Sequence, residues 1–100
     1  MTKNIAIIQA RMGSTRLPGK VLMPLNGKPL IQHIVDRLKR SDKIDSIIIA
    51  TSDMDRDDSI EKYFSGSHIV VFRGDELNVL KRFYDASKLS NATNIVRICA

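Results

Sequence analysis

The sequence has 100 residues, enough for one small domain, and its 43% hydrophobic and 27% charged residues are typical of a folded chain rather than a disordered one. Cys99 is the single cysteine, which excludes a disulfide framework or a cysteine-based metal site, and at the end of an apolar run we expect it to be buried. No segment approaches the ~18 apolar residues that span a bilayer, and no signal peptide is evident. We therefore expect a cytoplasmic protein with no membrane partner.

Positive charge is concentrated in the first part of the chain. The net charge is +5, but residues 1–40 carry eight basic side chains and one acidic one, whereas residues 41–100 carry eight basic and ten acidic side chains. This distribution favours an anionic ligand near the first elements. A general nucleic-acid binder would show a longer basic stripe with aromatic or arginine stacking groups, so we expect no nucleic-acid partner.

Apolar runs alternate with segments of helical period along the chain. Four runs rich in β-branched residues predict strands covered on both faces: Ile5–Ile8, Ile47–Ala50, Ile69–Phe72 and Ile95–Cys99. Three segments predict amphipathic helices: Leu30–Arg40 with Pro29 at its first position, Ser59–Phe64, and Leu77–Leu89. This order predicts an α/β fold, a Rossmann-like parallel sheet with right-handed crossovers and helices on both faces.

A basic, glycine-containing loop, Gln9 to Lys20, follows the first predicted strand. Its two glycines allow close approach of a ligand and a positive φ, and successive backbone N–H groups of such loops bind anions. Ser14 and Thr15 add hydroxyl groups, and three cations accompany them: Arg11, Arg16 and Lys20. Long loops in compact domains are usually functional, so we expect this loop to bind phosphate groups.

Two common phosphate-binding patterns do not fit this loop. A Walker-type loop needs four residues between its glycines and a hydroxyl residue after the lysine, but five residues separate Gly13 from Gly19 and Val21 follows Lys20. The dinucleotide pattern G-x-G-x-x-G is also absent from the loop. Kinase-type and dehydrogenase-type functions are therefore not favoured.

The same residues resemble the sugar nucleotidyltransferases. The resemblance rests on Gln-Ala-Arg at the end of the first strand, on Gly-Ser-Thr-Arg-Leu-Pro-Gly-Lys, and on Leu25-Asn26-Gly27-Lys28-Pro29-Leu30 before a helix. The pattern is most similar to the cytidylyltransferases that make CMP-activated acidic sugars, such as CMP-3-deoxy-manno-octulosonate and CMP-sialic acid, and among them to the spore coat polysaccharide type. Three later segments also fall where that family has its later elements: Ala50–Asp53, Asn78–Arg82 and Ile95–Ala100.

This resemblance implies a nucleotide-diphospho-sugar transferase fold, of which residues 1–100 would be the N-terminal, nucleotide-binding part. It implies transfer of CMP from CTP to a sugar acceptor in surface polysaccharide biosynthesis, with release of pyrophosphate, and it allows a homodimer. The expected Mg²⁺ would bind an aspartate beyond Ala100, so no metal ligand is expected in this chain. The nucleotide-binding residues implied are Ala10, Arg11, Gly13, Ser14, Arg16, Lys20 and Arg82.

Within that set, backbone groups around Ala10 would help to hold the base, and Arg16 and Lys20 would act catalytically on the triphosphate. Two alternatives stay open: an inactive nucleotide-binding domain, and a related transferase that uses UTP or GTP. His33 and His68 are expected to be structural or surface groups. The acidic cluster Asp53, Asp55, Asp57 and Asp58 is expected to favour a helix N-terminus, with Asp53 on the ligand side of the sheet.

Overall fold

The computed structural model describes residues 3–13, 19–75, 78–90 and 94–100. Leu77, in the third predicted helix, lies outside these residues. In chain order the elements are β1 (Asn4–Gln9), a 3₁₀ turn (Lys20–Leu22), β2 (Pro24–Leu25), β3 (Lys28–Pro29), α1 (Leu30–Lys39), β4 (Ser46–Ser52), a second 3₁₀ turn (Asp55–Asp57), α2 (Asp58–Tyr63), β5 (Val70–Gly74), α3 (Val79–Ser90) and β6 (Asn94–Cys99).

Four strands form one parallel sheet in the order β5-β4-β1-β6. At the carboxyl end of β1, Gln9 is aligned with Ala50 of β4 on one side and with Cys99 of β6 on the other. The loops that leave β1 and β4 therefore emerge side by side at one edge of the sheet. This is the edge at which ligands bind in open parallel α/β sheets.

Helices cover both faces of the sheet, as the sequence predicted. Side chains alternate along a strand, so Ala6 and Ile8 of β1 pack on one face, against Ile31 of α1 and Ile60 of α2. On the other face, the buried residues Ile5, Ile7, Ile48 and Ala50 pack with Ala86 of α3. The aliphatic strand runs thus form two cores, one on each face of the sheet.

The β2–β3 hairpin was not predicted. Its two central residues, Asn26 and Gly27, have φ of 53° and 87°, as the tight turn between twisted antiparallel strands requires. The Asn-Gly pair was the available signal, but the strands have two residues each and are too short to show a pattern. Pro29 ends β3 and stands at the N-cap position of α1, one position before the first helical residue Leu30, and not at the first helical position as predicted.

The strand β6 lies at the edge of the sheet and is less covered than predicted. Ile95 and Val96 are 38% and 44% exposed, and Cys99 is exposed rather than buried. The expectation for Cys99 was wrong because a run of apolar residues does not tell a central strand from an edge strand. Within the described ranges, no helix combines the length and apolar character needed to cross a bilayer.

Candidate nucleotide-binding site

The loop that follows β1 is closed at its base by a backbone hydrogen bond. Gly19 N–H donates to the carbonyl oxygen of Met12 at 2.9 Å, which joins these two residues at the carboxyl edge of the sheet. Gly19 has a φ of 75°, which glycine adopts without the steric cost imposed by a β-carbon. Lys20 follows this closure directly, at the start of the first 3₁₀ turn.

The described part of the loop brings several predicted residues together. Ala10 is buried, and its N–H donates to the carbonyl oxygen of Ala50 at 3.1 Å. Arg11 is exposed, whereas Gly13 and Lys20 are half-buried. The predicted Ser14 and Arg16 lie outside the described residues.

Gly13 is close to a side chain that the sequence analysis did not single out. A methyl group placed on Gly13 would lie 2.6 Å from Nε and 3.1 Å from Nη2 of Arg56. Gly13 is not among the glycines with positive φ, so the expected backbone freedom is needed at Gly19 and not here. Gly13 instead lets the Arg56 guanidinium from the turn after β4 lie directly against the loop.

Arg82 reaches the end of β1 from α3. Arg82 is 2% exposed, and its guanidinium donates from Nε and Nη2 to Gln9 Oε1, at 3.2 and 3.0 Å. A further bond runs from Nη1 to the carbonyl oxygen of Asp75 at 3.2 Å. Arg82 therefore holds the side chain of Gln9, which directly precedes Ala10, in one orientation.

Burial and several nearby charged groups change the pKa of the Arg82 guanidinium. Burial lowers the pKa of the Arg82 guanidinium, the nearby charge of Arg11 lowers it further, and the carboxylates of Asp57 and Asp75 raise it. Arginine nevertheless keeps its proton at neutral pH. Two guanidinium groups from different elements thus share one electrostatic environment beside the predicted phosphate loop.

Asp57 is completely buried, which the acidic pattern around it did not indicate. Its Oδ1 accepts the N–H of Met12 at 2.7 Å, and its Oδ2 accepts the hydroxyl of Ser52 at the end of β4. It occupies the position before α2 but makes no side-chain cap there. The expectation that Asp57 caps the helix was therefore wrong, because tertiary contacts engage its carboxylate, although Asp57 does lie at the helix N-terminus as expected.

Arg73 at the end of β5 braces the same turn. Its Nη2 donates to the carbonyl oxygen of Met54 at 2.8 Å and to Asp58 Oδ1 at 2.8 Å, while Nε donates to the carbonyl oxygen of Ser52 at 2.5 Å. Asp53, expected on the ligand side, is exposed there, and its N–H donates to the carbonyl oxygen of Gly74 at 2.7 Å. The turn after β4 is therefore held by β5 on one side and, through Asp57, by the loop after β1 on the other.

His33 has a structural contact, as expected. Its Nε2 donates to the carbonyl oxygen of Leu25 at 2.5 Å, which joins α1 to the hairpin. His68 is exposed. Across residues 3–13, 19–75, 78–90 and 94–100, no three His, Cys, Asp or Glu side chains are grouped closely enough to hold a metal ion.

Three residues of the site were missed by sequence reasoning. Gln9 was quoted as the start of the loop without a role, Arg56 was not considered, and Asp57 was assigned to the helix. For Asp57 and Arg56 the available signal was their position directly after a parallel strand next to β1. That signal becomes informative only when β4 is known to be the neighbour of β1.

A parallel sheet with a closed, basic glycine loop at its carboxyl edge defines the class of α/β nucleotide-binding proteins. The sequence model of one family, described as Cytidylyltransferase, matches residues 5–100. The chain belongs to this cytidylyltransferase family, which confirms the resemblance found in the sequence.

Individual relatives agree with this assignment. The chain is 43% identical over 103 residues to the spore coat polysaccharide biosynthesis protein SpsF of Bacillus subtilis, a match that covers 98% of the chain and 42% of the relative. A cytidylyltransferase structure from Leptospira borgpetersenii superposes with a TM-score of 0.90 at 35% identity, covering 99% of the chain and 42% of that structure.

A second solved structure is CMP:2-keto-3-deoxy-manno-octonic acid synthetase complexed with CTP. It superposes with a TM-score of 0.77 at 28% identity and covers 98% of the chain and 40% of that structure. These similarities confirm the predicted nucleotidyltransferase fold. The chain spans about two fifths of the length of the relatives it matches.

Proposed function

We propose that the complete polypeptide transfers CMP from CTP to a sugar hydroxyl and releases pyrophosphate. The observation that carries this proposal is the closed loop from Met12 to Gly19, which places Arg11 and Lys20 at the carboxyl edge of a cytidylyltransferase-family sheet. SpsF is named for spore coat polysaccharide biosynthesis, and the second solved relative is named for a sugar acid. We therefore propose a sugar acid or related sugar as acceptor and surface polysaccharide synthesis in the cytoplasm as the setting.

The proposed duties of the site residues follow from charge and position. Backbone groups around Ala10 hold the base, and Arg11 and Gly13 lie beside the nucleotide. Ser14, Arg16 and Lys20 bind the triphosphate. Arg82 acts at the nucleotide through the carboxamide of Gln9, to which it donates two hydrogen bonds.

The reaction needs stabilisation of charge more than covalent chemistry. The sugar oxygen attacks the α-phosphorus in line and pyrophosphate leaves, so negative charge grows on the non-bridging oxygens and on the leaving group. Arg16 and Lys20 stabilise that charge, which is commonly the largest contribution to such catalysis. Mg²⁺ is expected in the intact enzyme, although the described residues include no group of three or more His, Cys, Asp or Glu side chains that could hold it.

We also propose that residues 1–100 form the nucleotide-binding part of a longer domain. The relatives are more than twice as long, and the β6 edge leaves Ile95 and Val96 uncovered. Further strands and helices would pack on this edge. A homodimer is compatible with this arrangement.

A pyrophosphate-release assay tests the proposed function. The complete polypeptide, given each of the four nucleoside triphosphates with a panel of sugar acids and neutral sugars, is expected to release pyrophosphate from CTP in preference to the others. Lys20→Ala should lower kcat/KM for CTP by roughly a hundredfold, as for the loss of one charge-stabilising donor. Lys39→Ala, at the exposed C-terminal turn of α1, is the matched control. Equal use of UTP or GTP, or binding of CTP without turnover, would contradict the proposal.

A further inference from the structure

We propose that Asp57 is a positioning residue for the nucleotide site, and that its hydrogen bond to the backbone of Met12 fixes the start of the phosphate loop. The inference rests on the proposed function, because it assumes that this loop binds the nucleotide. It concerns a residue that does not itself touch the substrate. Its role would be to hold Met12, and hence Gly13, at one place relative to the ends of β1 and β4.

The geometry supports a specific anchor rather than general packing. Both carboxylate oxygens of Asp57 are engaged, one by Met12 N–H at 2.7 Å and the other by the Ser52 hydroxyl. The same Ser52 oxygen accepts the N–H of Met54 at 3.2 Å. A continuous hydrogen-bonded path therefore runs from the turn after β4, through Asp57, to the backbone of Met12.

The anchor acts at the point where the loop begins and ends. Met12 donates its N–H to Asp57 and accepts the N–H of Gly19 through its carbonyl oxygen, at 2.9 Å. Both ends of the loop are thus tied to one residue, and that residue is tied to a buried carboxylate. A shift of Met12 would move the residues on both sides of the closure, including Lys20.

A charged acceptor suits this position better than a neutral one. Hydrogen bonds to an ionised acceptor are shorter and stronger than those between neutral groups, so a carboxylate restrains an amide more firmly. The charge of this carboxylate also acts on Arg82, because it raises the pKa of the Arg82 guanidinium. Arg82 in turn holds Gln9, the residue before Ala10.

The test compares Asp57→Asn with Asp55→Asn in the complete polypeptide. Both variants remove one negative charge from the same 3₁₀ turn, but Asp55 is exposed whereas Asp57 is buried. We expect Asp57→Asn to raise the dissociation constant for CTP roughly tenfold through misplacement of the loop. Asp55→Asn should stay within about twofold of the wild type, as for an exposed substitution.

A second readout separates positioning from general stability. In the nucleotide-free protein, hydrogen exchange at the Met12 amide should accelerate in Asp57→Asn but not in Asp55→Asn. In turnover, KM for CTP should rise while KM for the sugar acceptor stays unchanged. A purely structural role would lower the melting temperature and leave the KM for CTP intact, which would overturn the inference.

Should Asp57→Asn fail to fold, Ser52→Ala provides the decision, because it removes one hydroxyl donor and leaves the carboxylate in place. Faster exchange at Met12 together with weaker CTP binding would support the inference, and faster exchange with unchanged binding would overturn it. Wild-type protein that binds no nucleotide contradicts the proposed function itself, and this inference with it. If the wild type binds CTP and a folded Asp57→Asn variant binds it equally tightly, this inference alone is contradicted.

Discussion

At the scale of single residues, steric contacts between side chains and backbone shape the candidate site as much as charges do. Gly13 lies in a loop with several cations, which suggests a role in binding phosphate through its backbone. The structure adds that the Arg56 guanidinium occupies the space where a side chain on Gly13 would lie. Glycine at position 13 therefore avoids a steric clash between a β-carbon and the Arg56 side chain.

Replacement of Gly13 by alanine tests this steric relation. Because Gly13 lacks a positive φ, alanine should be tolerated by the backbone, and the conflict should fall on the flexible end of Arg56. In an Arg56→Ala background, Gly13→Ala should raise the free energy of unfolding by about 0.4–1 kcal/mol through the entropy of the unfolded chain. In the wild-type background the gain should be smaller or lost. Urea unfolding of the four proteins of this cycle measures the difference, and equal effects in both backgrounds would show that Arg56 is not the neighbour that matters.

The residues missed by sequence analysis share one physical reason. The buried environment of Asp57 arises where the turn after β4 meets the loop after β1, two segments 45 positions apart in sequence. Local pattern places an acid before a helix at the helix N-terminus, and tertiary contact overrides that preference here. Such a role needs the strand order, which the sequence predicted only as parallel and not as β5-β4-β1-β6.

At the scale of elements, the hairpin and the first helix form one unit. Lys28 Nζ lies 2.5 Å from Asp36 Oδ2, and Leu30 N–H donates to the carbonyl oxygen of Met23 at 2.9 Å. The His33 contact with Leu25 adds a third link. This unit of hairpin and helix directly follows the predicted phosphate loop, because Met23 comes immediately after the 3₁₀ turn that begins with Lys20. Its internal contacts therefore help to hold the end of the loop in place.

The link between Lys28 and Asp36 predicts a pH dependence. The hydrogen bond from Lys28, followed by that from Gln32, lowers the pKa of Asp36 below its ordinary value of 3.8. A carboxyl group with a lowered pKa in the folded state stabilises the protein above its unfolded-state pKa, and this contribution is lost as the pH falls through the folded-state pKa. Asp36→Asn should therefore lower the melting temperature slightly at pH 7.

The same variant should match the wild type at a pH below the folded-state pKa of Asp36. Because both side chains are partly exposed, the effect at pH 7 is expected to be small and to shrink in high salt. Thermal unfolding of both proteins from pH 7 down to pH 2.5 measures it. A difference in melting temperature that persists or grows in acid would contradict this account of the link.

The elements themselves were largely predictable, and their exceptions are instructive. The four strands were found because they are runs of β-branched residues, which favour strands. The helix starts at Leu30 and Asp58 lie within one residue of the prediction, whereas α3 starts at Val79, two residues after the predicted Leu77. The hairpin was missed because two-residue strands carry no periodicity. The burial of Cys99 was predicted wrongly, because edge strands and central strands have similar apolar sequences.

At the scale of the whole molecule, the sequence and the fold lead to the same family. The loop residues resemble cytidylyltransferases, and the superposition on a solved cytidylyltransferase covers 99% of the chain at a TM-score of 0.90. The four-stranded sheet provides the carboxyl edge on which the loop, Arg82 and the turn after β4 converge. The acceptor sugar was not predicted, because the motifs found in the sequence concern the nucleotide loop.

Titration of the isotope-labelled protein with CTP, UTP and GTP, followed by the backbone amide signals, tests the central claim most directly. The account predicts that CTP shifts the amides of Ala10, Arg11, Gly19 and Lys20 at lower concentration than the other two nucleotides, since these residues form the ends of the loop. The amide signals at the amino ends of the strands, such as that of Asp45 just before β4, should not shift. Shifts that appear mainly away from the loop, or equal responses to all three nucleotides, would contradict it.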